Sequence, residues 1–328
     1  MKELSEIMEA EYVGAPVSER FFDNGPTLPL IVEPNIPGTA LDEWLLANRA
    51  AAETKAIKYG GILFRGFAID TIDKFNSLMK KLSDQEFKYV FRSSPRHSLA
   101  DRVYESTTYP KDRKINLHSE QSYSYATIAK IIFCCVEEAE TKGETPIANN
   151  RNIYARLNPS LQKKFEEKGI LYKRNLSPFA GMAWQEVFQT QNKADVIANC
   201  KENNIEYQFE GEDTLHLKWT KSAIIDHPVS GEKTWFNHSY FFNKYSLFDE
   251  MGLKGEDSLP EELLPYDTSF GDGSPITYEI YQEIKQAYDK ETIYFPWRKG
   301  DVLFLDNMLT SHGRNSYTGP RQIVVSML

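Results

Sequence analysis

A histidine and a carboxylate lie two residues apart in the segment KINLHSEQSYS, and both side chains can bind a metal ion. In an extended chain, residues two apart point to the same side, so His118 and Glu120 can converge while Ser119 points away. A second histidine, His312, follows the apolar segment DVLFLDN near the C-terminus. We expect these two imidazoles and one carboxylate to bind one metal ion.

Such a set occupies one face of an octahedral iron(II) and leaves three positions for a bidentate co-substrate and dioxygen. The site keeps a net positive charge, so it favours an anionic ligand, which needs its own anchor. Alternation in RQIVVSML places Arg321 on the apolar inward face with Ile323 and Val325. A buried arginine requires a partner, and the distal carboxylate of 2-oxoglutarate would supply it. Arg314 is the alternative anchor.

Each of these signals is weak alone, because an H-x-E pair arises by chance in many chains as a surface pair or a core histidine. Their joint occurrence favours a metal site. The same ligand types also suit a zinc-dependent hydrolase or a non-catalytic metal-binding barrel. The lack of an HExxH motif and the arginine beyond His312 count against the hydrolase. We interpret the other four histidines as structural or surface residues: His97, His216, His227 and His238.

The elements that position these residues are predicted to be mainly β-strands, with helices at the periphery. Apolar segments predict strands at GILFRGF, IAKIIFCCVEE, TIYFPW, DVLFLDN and RQIVVSML. Helical spacing predicts helices at ALDEWLLANRAAAETKAIKYG, TIDKFNSLMKKLSD, SLQKKFEEKG and TYEIYQEIKQAYDKE. There is no regular β-α-β alternation and no glycine-rich phosphate loop, which argues against a nicotinamide dehydrogenase. The pattern favours an α+β jelly roll, or double-stranded β-helix.

Composition limits the class of protein further. The 328 residues are 41% hydrophobic and 26% charged, which is typical of a globular protein. No repeat or linker divides them, so we expect one domain over 1–328, with a mixed N-terminal part and helical or loop insertions at about 155–200 and 245–290. A net charge of −9 argues against a nucleic-acid surface.

The lack of a recognisable targeting segment and the small number of cysteines both indicate a reducing compartment. The chain has no apolar run long enough to cross a bilayer, and its first residues, MKELSEIMEAEYVG, lack the apolar stretch of a signal peptide. We therefore expect a cytoplasmic protein without a membrane partner. Three cysteines, Cys134, Cys135 and Cys200, cannot form a disulfide framework, and we expect them to be reduced core residues.

Longer segments around the metal-binding candidates resemble the taurine dioxygenase and clavaminate synthase-like group of iron(II)/2-oxoglutarate oxygenases. In chain order, these segments are FRSSPR, YESTTYP, HSE, GETPIANNR, HPVSGEKTWFN and HGRNSYTGPRQIVV. The resemblance covers most of the chain after about Gly60. It implies a clavaminate synthase-like double-stranded β-helix in which His118, Glu120 and His312 hold the iron.

The resemblance also implies the co-substrate contacts and the reaction type. Thr145 in GETP matches a threonine that helps to bind 2-oxoglutarate, and Arg321 matches the arginine that pairs with the distal carboxylate. The pair Asn149 and Asn150 departs from the Asp-containing form that is more usual in the group. Related halogenases lack the carboxylate ligand, so the presence of Glu120 favours a hydroxylase.

The expected reaction is the oxidation, most simply hydroxylation, of an unactivated C–H bond in a small molecule, with release of succinate and CO2. Desaturation and cyclisation are alternatives. Similarity to the clavaminate synthase branch favours an amino acid or an amino-acid-derived natural-product intermediate as substrate. The candidate substrate-binding residues are Asn116, Gln121, Tyr123, Arg96 and Asn237. The Gly-, Pro- and acid-rich segment 247–275 is a candidate lid or a solvated insertion.

Overall fold

Strands outnumber helices in this computed structural model, which describes residues 11–22, 25, 27–83, 91–93, 97–126, 128–178, 181–253 and 259–328. The strands in these ranges are β1 Val17–Arg20, β2 Leu30–Pro34, β3 Gly61–Phe64, β4 Ser98–Ala100, β5 Val103–Glu105, β6 Ile115–His118, β7 Lys130–Glu137, β8 Thr141–Lys142, β9 Ile147–Asn149, β10 Ile170–Leu176, β11 Glu206–Glu210, β12 Thr214–Lys221, β13 Ile224–Asp226, β14 Lys233–Trp235, β15 Tyr266–Phe270, β16 Val302–Asp306, β17 Thr310–Arg314, β18 Tyr317–Thr318 and β19 Gln322–Met327. The helices are α1 Leu41–Ala47, α2 Arg49–Tyr59, α3 Ile72–Leu82, α4 Asn150–Arg156, α5 Pro159–Lys168, α6 Trp184–Phe188, α7 Lys193–Glu202, α8 Lys244–Met251 and α9 Tyr278–Glu291, and a 3-10 turn spans Glu261–Leu263.

The largest sheet has eight strands in the order β1-β2-β3-β16-β7-β19-β5-β4. Its strand β7 lies between β16 and β19 and is antiparallel to both. Side chains alternate across this sheet, so that Phe133 and Cys135 enter one buried cluster and Cys134 enters another. Apolar residues of α1 and α3, including Trp44 and Phe75, cover the Cys134 side. All three cysteines are free and buried, which confirms their assignment to the core.

A three-stranded sheet has the order β6-β17-β9, and it contacts the large sheet. The ring of His312 on β17 packs against the ring of Phe133 on β7, with 5.0 Å between ring centroids. A four-stranded sheet, β11-β12-β10-β15, takes β10 and β15 from the two segments that were expected to be insertions. The mixed fold of sheets with surrounding helices agrees with the predicted α+β class.

Most of the elements expected from the sequence are present. The predicted strands appear as β3, β7, β16 and β19, and the predicted helices as α3, α5 and α9. Residues 40–60 form two helices rather than one, because the side-chain amide of Asn48 bonds to the backbone N–H and C=O of Val13. The second of these helices ends at Gly60, where φ is +90°.

The predicted strand TIYFPW was wrong. Residues 292–297 form irregular backbone in which Ile293 makes a single bridge to Ile147. Pro296 has no N–H to donate to a strand ladder, and its carbonyl accepts from the guanidinium of Arg65 at 2.8 Å. Within the described residues, no helix combines the length and the apolar character that crossing a bilayer requires.

Candidate active site

The two candidate histidines lie opposite each other on paired strands. Strands β6 and β17 are antiparallel, and His118 is the register partner of His312. Their ring centroids are 4.6 Å apart. A Cβ atom at Gly313 would lie 2.6 Å from the carbonyl oxygen of Ile115, so only glycine lets the two strands approach this closely. The H-G sequence at 312–313 therefore brings the two imidazoles together.

Glu120 reaches the histidines from a turn, because β6 ends at His118 rather than extending through Glu120. The side-chain amide of Asn307 holds this turn. It accepts from the Glu120 N–H at 2.8 Å and donates to the Glu120 carbonyl at 2.9 Å. Gln121 follows in the left-handed region, with φ of +54°. One potential ligand atom from each of His118, Glu120 and His312 lies within 4.8 Å of the others.

The donor set of this cluster fits iron(II). His118 Nδ1 lies 2.8 Å from the backbone carbonyl of Asn116, so this nitrogen carries the proton and Nε2 keeps its lone pair for a metal. Two neutral imidazoles and a carboxylate are the ligands of the facial iron(II) sites of oxygenases. Glu120 is buried, so its carboxylate gains from a cation at this position.

A buried polar network lies behind the ligands, and sequence reasoning did not assign it. The Asn150 amide donates to Ser119 Oγ at 2.9 Å and to the Met308 carbonyl at 3.0 Å. Its oxygen accepts from Ser311 Oγ at 2.7 Å. Ser119 lies between two of the metal-binding candidates, and Ser311 precedes the third. Asn150 therefore connects the two segments that carry them, whereas Asn149 caps helix α4.

Arg321 and Thr145 lie next to each other in the lining of the same cavity. The Arg321 Nε–H donates to the Gly143 carbonyl at 2.8 Å, and Nη2 lies 3.4 Å from Thr145 Oγ1. Thr145 Oγ1 also accepts from the Trp297 indole N–H at 3.0 Å, so its own hydroxyl proton remains to be donated to a ligand. Burial, and then repulsion from Arg314, lowers the pKa of Arg321 to about 10. This value still lies well above neutral pH, so Arg321 remains charged there.

The alternative anchor, Arg314, has a different set of contacts. Its guanidinium donates to the backbone carbonyls of Tyr109 at 2.7 Å, Arg113 at 2.6 Å and Pro110. Arg314 therefore holds the segment 109–113 against β17. No carboxylate of the described residues forms an ion pair with Arg314 or Arg321. The cavity keeps a positive charge that an anionic ligand would neutralise.

The cavity beside the cluster has a volume of about 200 Å³. Of the candidate substrate residues, Asn116 lines it and donates to Ser246 Oγ at 3.0 Å. Gln121, Tyr123 and Asn237 are buried outside its lining, and the last two donate to backbone carbonyls, of Phe91 and Ala223. Arg96 lies outside the described residues. The substrate contacts of these residues stay predictions.

The structure adds cavity-lining residues that the sequence did not single out. Lys114 precedes β6, Phe133 lies on β7, and Tyr109 lies in the segment held by Arg314. Glu250 and Tyr266 come from the candidate lid 247–275. Tyr109 lies in the segment YESTTYP and Lys114 in the segment KINLHSE. Their closeness to His118 in the chain could have identified both as residues near the site.

The remaining histidines make contacts with the protein itself. His238 lies closest to the site, with its ring centroid 5.7 Å from that of His118 and its Nδ1 2.6 Å from Ser122 Oγ. Burial, together with His118, holds the pKa of His238 well below its usual range, so it is neutral. His227 bonds to Asp306 at 3.2 Å. These contacts agree with the structural interpretation of these residues.

Comparisons with known proteins agree with this geometry. The Dapdiamide synthesis protein DdaC of Enterobacter agglomerans is 35% identical over 269 residues, which are 82% of each chain. A clavaminate synthase-like protein of Arabidopsis thaliana is 27% identical over 344 residues, covering 96% of this chain and 98% of the relative. A crystal structure of PvcB, described as an Fe, alpha-ketoglutarate dependent oxygenase from an isonitrile synthetic pathway, shares the fold with a TM-score of 0.53 and 14% identity, covering 97% of this chain and 94% of that one.

A family model also matches nearly the whole chain, over residues 24–327. Its description, Taurine catabolism dioxygenase TauD, TfdA family, agrees with the resemblance inferred from the sequence segments. Together with the His-Glu-His cluster, this match confirms the predicted cofactor set of iron(II), 2-oxoglutarate and dioxygen. The chain therefore belongs to the TauD, TfdA family of dioxygenases.

Proposed function

We propose that this dioxygenase hydroxylates an unactivated C–H bond of a small molecule, with release of succinate and CO2 from 2-oxoglutarate. We assign the iron ligands to His118, Glu120 and His312, and the 2-oxoglutarate contacts to Thr145 and Arg321. One observation carries this proposal: potential ligand atoms of the three residues lie within 4.8 Å of one another, beside a cavity that His118, His312 and Arg321 line.

Hydrogen bonds within the protein orient two of the three proposed ligand residues. The Asn116 carbonyl sets the tautomer of His118, and the Asn307 amide fixes the turn of Glu120. Bound iron(II) supplies the redox chemistry that dioxygen and an unactivated C–H bond require. Arg321 and the Thr145 hydroxyl would hold the distal carboxylate of 2-oxoglutarate by charge-assisted hydrogen bonds.

Aromatic rings pack against the two histidines of the cluster. Phe133 packs on His312 with 5.0 Å between centroids, and Phe241 packs on His118 with 4.9 Å. Both rings line the cavity, so a substrate C–H bond would enter between them and the polar residues at the opening. Placement of the substrate by this cavity then decides which C–H bond reacts.

We also propose an amino acid, or an amino-acid-derived natural-product intermediate, as the substrate. DdaC is described as a dapdiamide synthesis protein, and PvcB as an oxygenase from an isonitrile synthetic pathway. Both descriptions support a role in the synthesis of small molecules. The match over 24–327 supports a single domain over 1–328, and the shared fold with an oxygenase supports a double-stranded β-helix.

Anaerobic reconstitution tests the proposal. The purified protein is mixed with iron(II) and 2-oxoglutarate, and the visible absorption band of a metal-bound keto acid is recorded. Oxygen is then added with a panel of amino acids, and succinate and hydroxylated products are measured. We expect the band, and succinate formation that at least one substrate stimulates. Absence of both the band and succinate would contradict the proposal, and oxygen-independent hydrolysis with zinc would support the alternative hydrolase.

A further inference from the structure

The opening of the cavity carries a carboxylate with one unused oxygen. Glu250 on α8 reaches across to the segment 109–113, where the Tyr109 hydroxyl and Arg113 Nη1, at 3.5 Å, both contact Oε1. Among the described residues, Oε2 has no hydrogen-bond partner. The Glu250 side chain is 31% exposed, so this oxygen remains accessible to a ligand in the cavity.

A cation lines the same cavity without a partner. The Lys114 ammonium makes no ion pair or hydrogen bond with any residue in the described part of the chain. Lys114 and Glu250 both line this cavity, so the cation and the carboxylate can meet one ligand. A ligand with only one charge would pair with one of these two groups and leave the other unpaired. The bound ligand would also partly bury that unpaired charge, which costs free energy.

Aromatic rings connect this opening to the candidate iron ligands. Phe241 contacts the ring of His118 at 4.9 Å between centroids, and Tyr266 lies 6.4 Å from Phe241. Both rings line the cavity. Burial first, and then the charge of Glu250, raises the pKa of Tyr266, so this phenol stays protonated and lies close to that carboxylate. An apolar side chain can therefore extend from the opening towards the histidines.

We propose that the opening binds the head group of a free α-amino acid. Glu250 Oε2 accepts a hydrogen bond from the substrate ammonium, and Lys114 pairs with the substrate carboxylate. An α-amino acid carries one charge of each sign close together, so it can pair with an acid and a base that line the same cavity. The inference rests on the proposed function, because the side chain of this amino acid would then present its C–H bonds to the iron.

Binding to an inert form of the enzyme tests this assignment. The protein is loaded with Mn(II) and N-oxalylglycine, and calorimetry measures the binding of the twenty proteinogenic L-amino acids, together with the N-acetyl and carboxamide derivatives of each. We expect at least one free amino acid to bind roughly 10-fold or more tightly than both of its derivatives. If no free amino acid binds better than its derivatives, the proposal is overturned.

Two charge-removing variants assign the two halves of the head group. Glu250→Gln should weaken the free amino acid about 10-fold and leave the N-acetyl derivative unchanged. Lys114→Met should weaken the free amino acid and leave the carboxamide derivative unchanged. The exposed residues Glu262 and Lys111 provide matched controls, because Glu262→Gln and Lys111→Met make the same charge changes outside the cavity lining.

A purely structural role of Glu250 gives a different result. If Glu250 only fastens α8 to Tyr109, then Tyr109→Phe would weaken all probes to the same extent as Glu250→Gln. Under our proposal, Tyr109→Phe leaves the preference for the free amine at its wild-type value. Failure of this inference is also separable from failure of the proposed function. Normal binding of iron(II) and 2-oxoglutarate without any head-group preference would remove only the inference.

Discussion

The two ends of the cavity differ in how completely their polar groups are paired. At the ligand end, Ser119, Asn150 and Ser311 are buried and bonded to one another. At the opening, Glu250 Oε2 and the Lys114 ammonium have no partner among the described residues. A buried network with all its bonds made fixes one geometry, whereas unpaired groups near solvent remain available to a ligand. Under our proposals, one end holds the metal and the other end selects the substrate.

Loss of a ligand at the ligand end should have the largest effect. Removing even an outer partner of a metal ligand costs about 10–100-fold in affinity, so Glu120→Ala should weaken iron(II) binding by more than that. Metal titration with circular dichroism as a folding control checks this. Glu186→Ala, on the separate helix α6, provides a surface control. Wild-type iron affinity in a folded Glu120→Ala protein would break the assignment of the ligand end.

Loss of the proposed 2-oxoglutarate anchor should have the next largest effect. Hydrogen bonds to charged groups contribute about 1.5–3 kcal/mol, so Arg321→Ala should raise the apparent Kd of 2-oxoglutarate by roughly 10- to 100-fold. Iron(II) affinity should stay near its wild-type value, because Arg321 is not in the His-Glu-His cluster. Titration of the keto acid absorption band measures both. A larger loss from Arg314→Ala in a folded protein would transfer the anchor to Arg314.

The free energy of unfolding should show how firmly the hydrogen-bond network around Asn150 is held. Asn150→Ala leaves Ser119, Ser311 and the Met308 carbonyl with fewer partners in a buried place, so the free energy of unfolding should fall by about 2–3 kcal/mol. Asn152→Ala on the same helix removes one exposed hydrogen bond to Glu291 and should change it by less than about 1 kcal/mol. Urea denaturation compares the two. Equal effects would mean that the ligand end is no more tightly held than the surface.

The smallest expected effect is a pH dependence beside the Glu120 turn. Lys221 donates to the carbonyls of Ser122, at 3.0 Å, and Ser124. Burial lowers the pKa of Lys221 to about 8, below the value of about 10.4 expected in the unfolded chain. Between these pH values the unfolded chain binds more protons, so stability should rise with pH from about 8 to 10, and this gain disappears below about pH 8.

Thermal melts at pH 7.5 and 9.5, near the two ends of that window, measure this rise in Tm. Lys221→Met should lack the part of the rise that Lys221 contributes, a few degrees at most, whereas the exposed Lys218→Met should keep it. Comparison between variants cancels the titration of other groups. A Lys221→Met protein with the full wild-type pH dependence would show that this amine is not perturbed by burial.

Local patterns predicted much of the fold and the chemistry. Alternation in RQIVVSML predicted that Ile323, Val325 and Met327 share one face, and they do lie in one buried cluster while Val324 enters the other. The H-x-E pair and the distal His312 meet within 4.8 Å, as the residue types suggested. These predictions succeeded because strand alternation and ligand chemistry depend on neighbouring residues and on residue type.

Other features depended on contacts that no local pattern contains. Asn48 divides a helix because it bonds to Val13, 35 positions away. The turn at Glu120 depends on Asn307, which lies 187 positions further along the chain. The hydrogen bonds from Arg314, the alternative anion anchor, to backbone carbonyls of the segment 109–113 join residues about two hundred positions apart. Glu250 enters the cavity from a segment that resembled a solvated insertion.

The sequence by itself determined the kinds of ligand and their order along the chain, because these follow from side-chain chemistry. The tertiary structure decided which strand register sets His118 opposite His312, which backbone carbonyls the guanidinium of Arg314 contacts, and which charges remain unpaired at the opening. These depend on hydrogen bonds between residues more than a hundred positions apart, and such contacts exist only once the sheets have assembled.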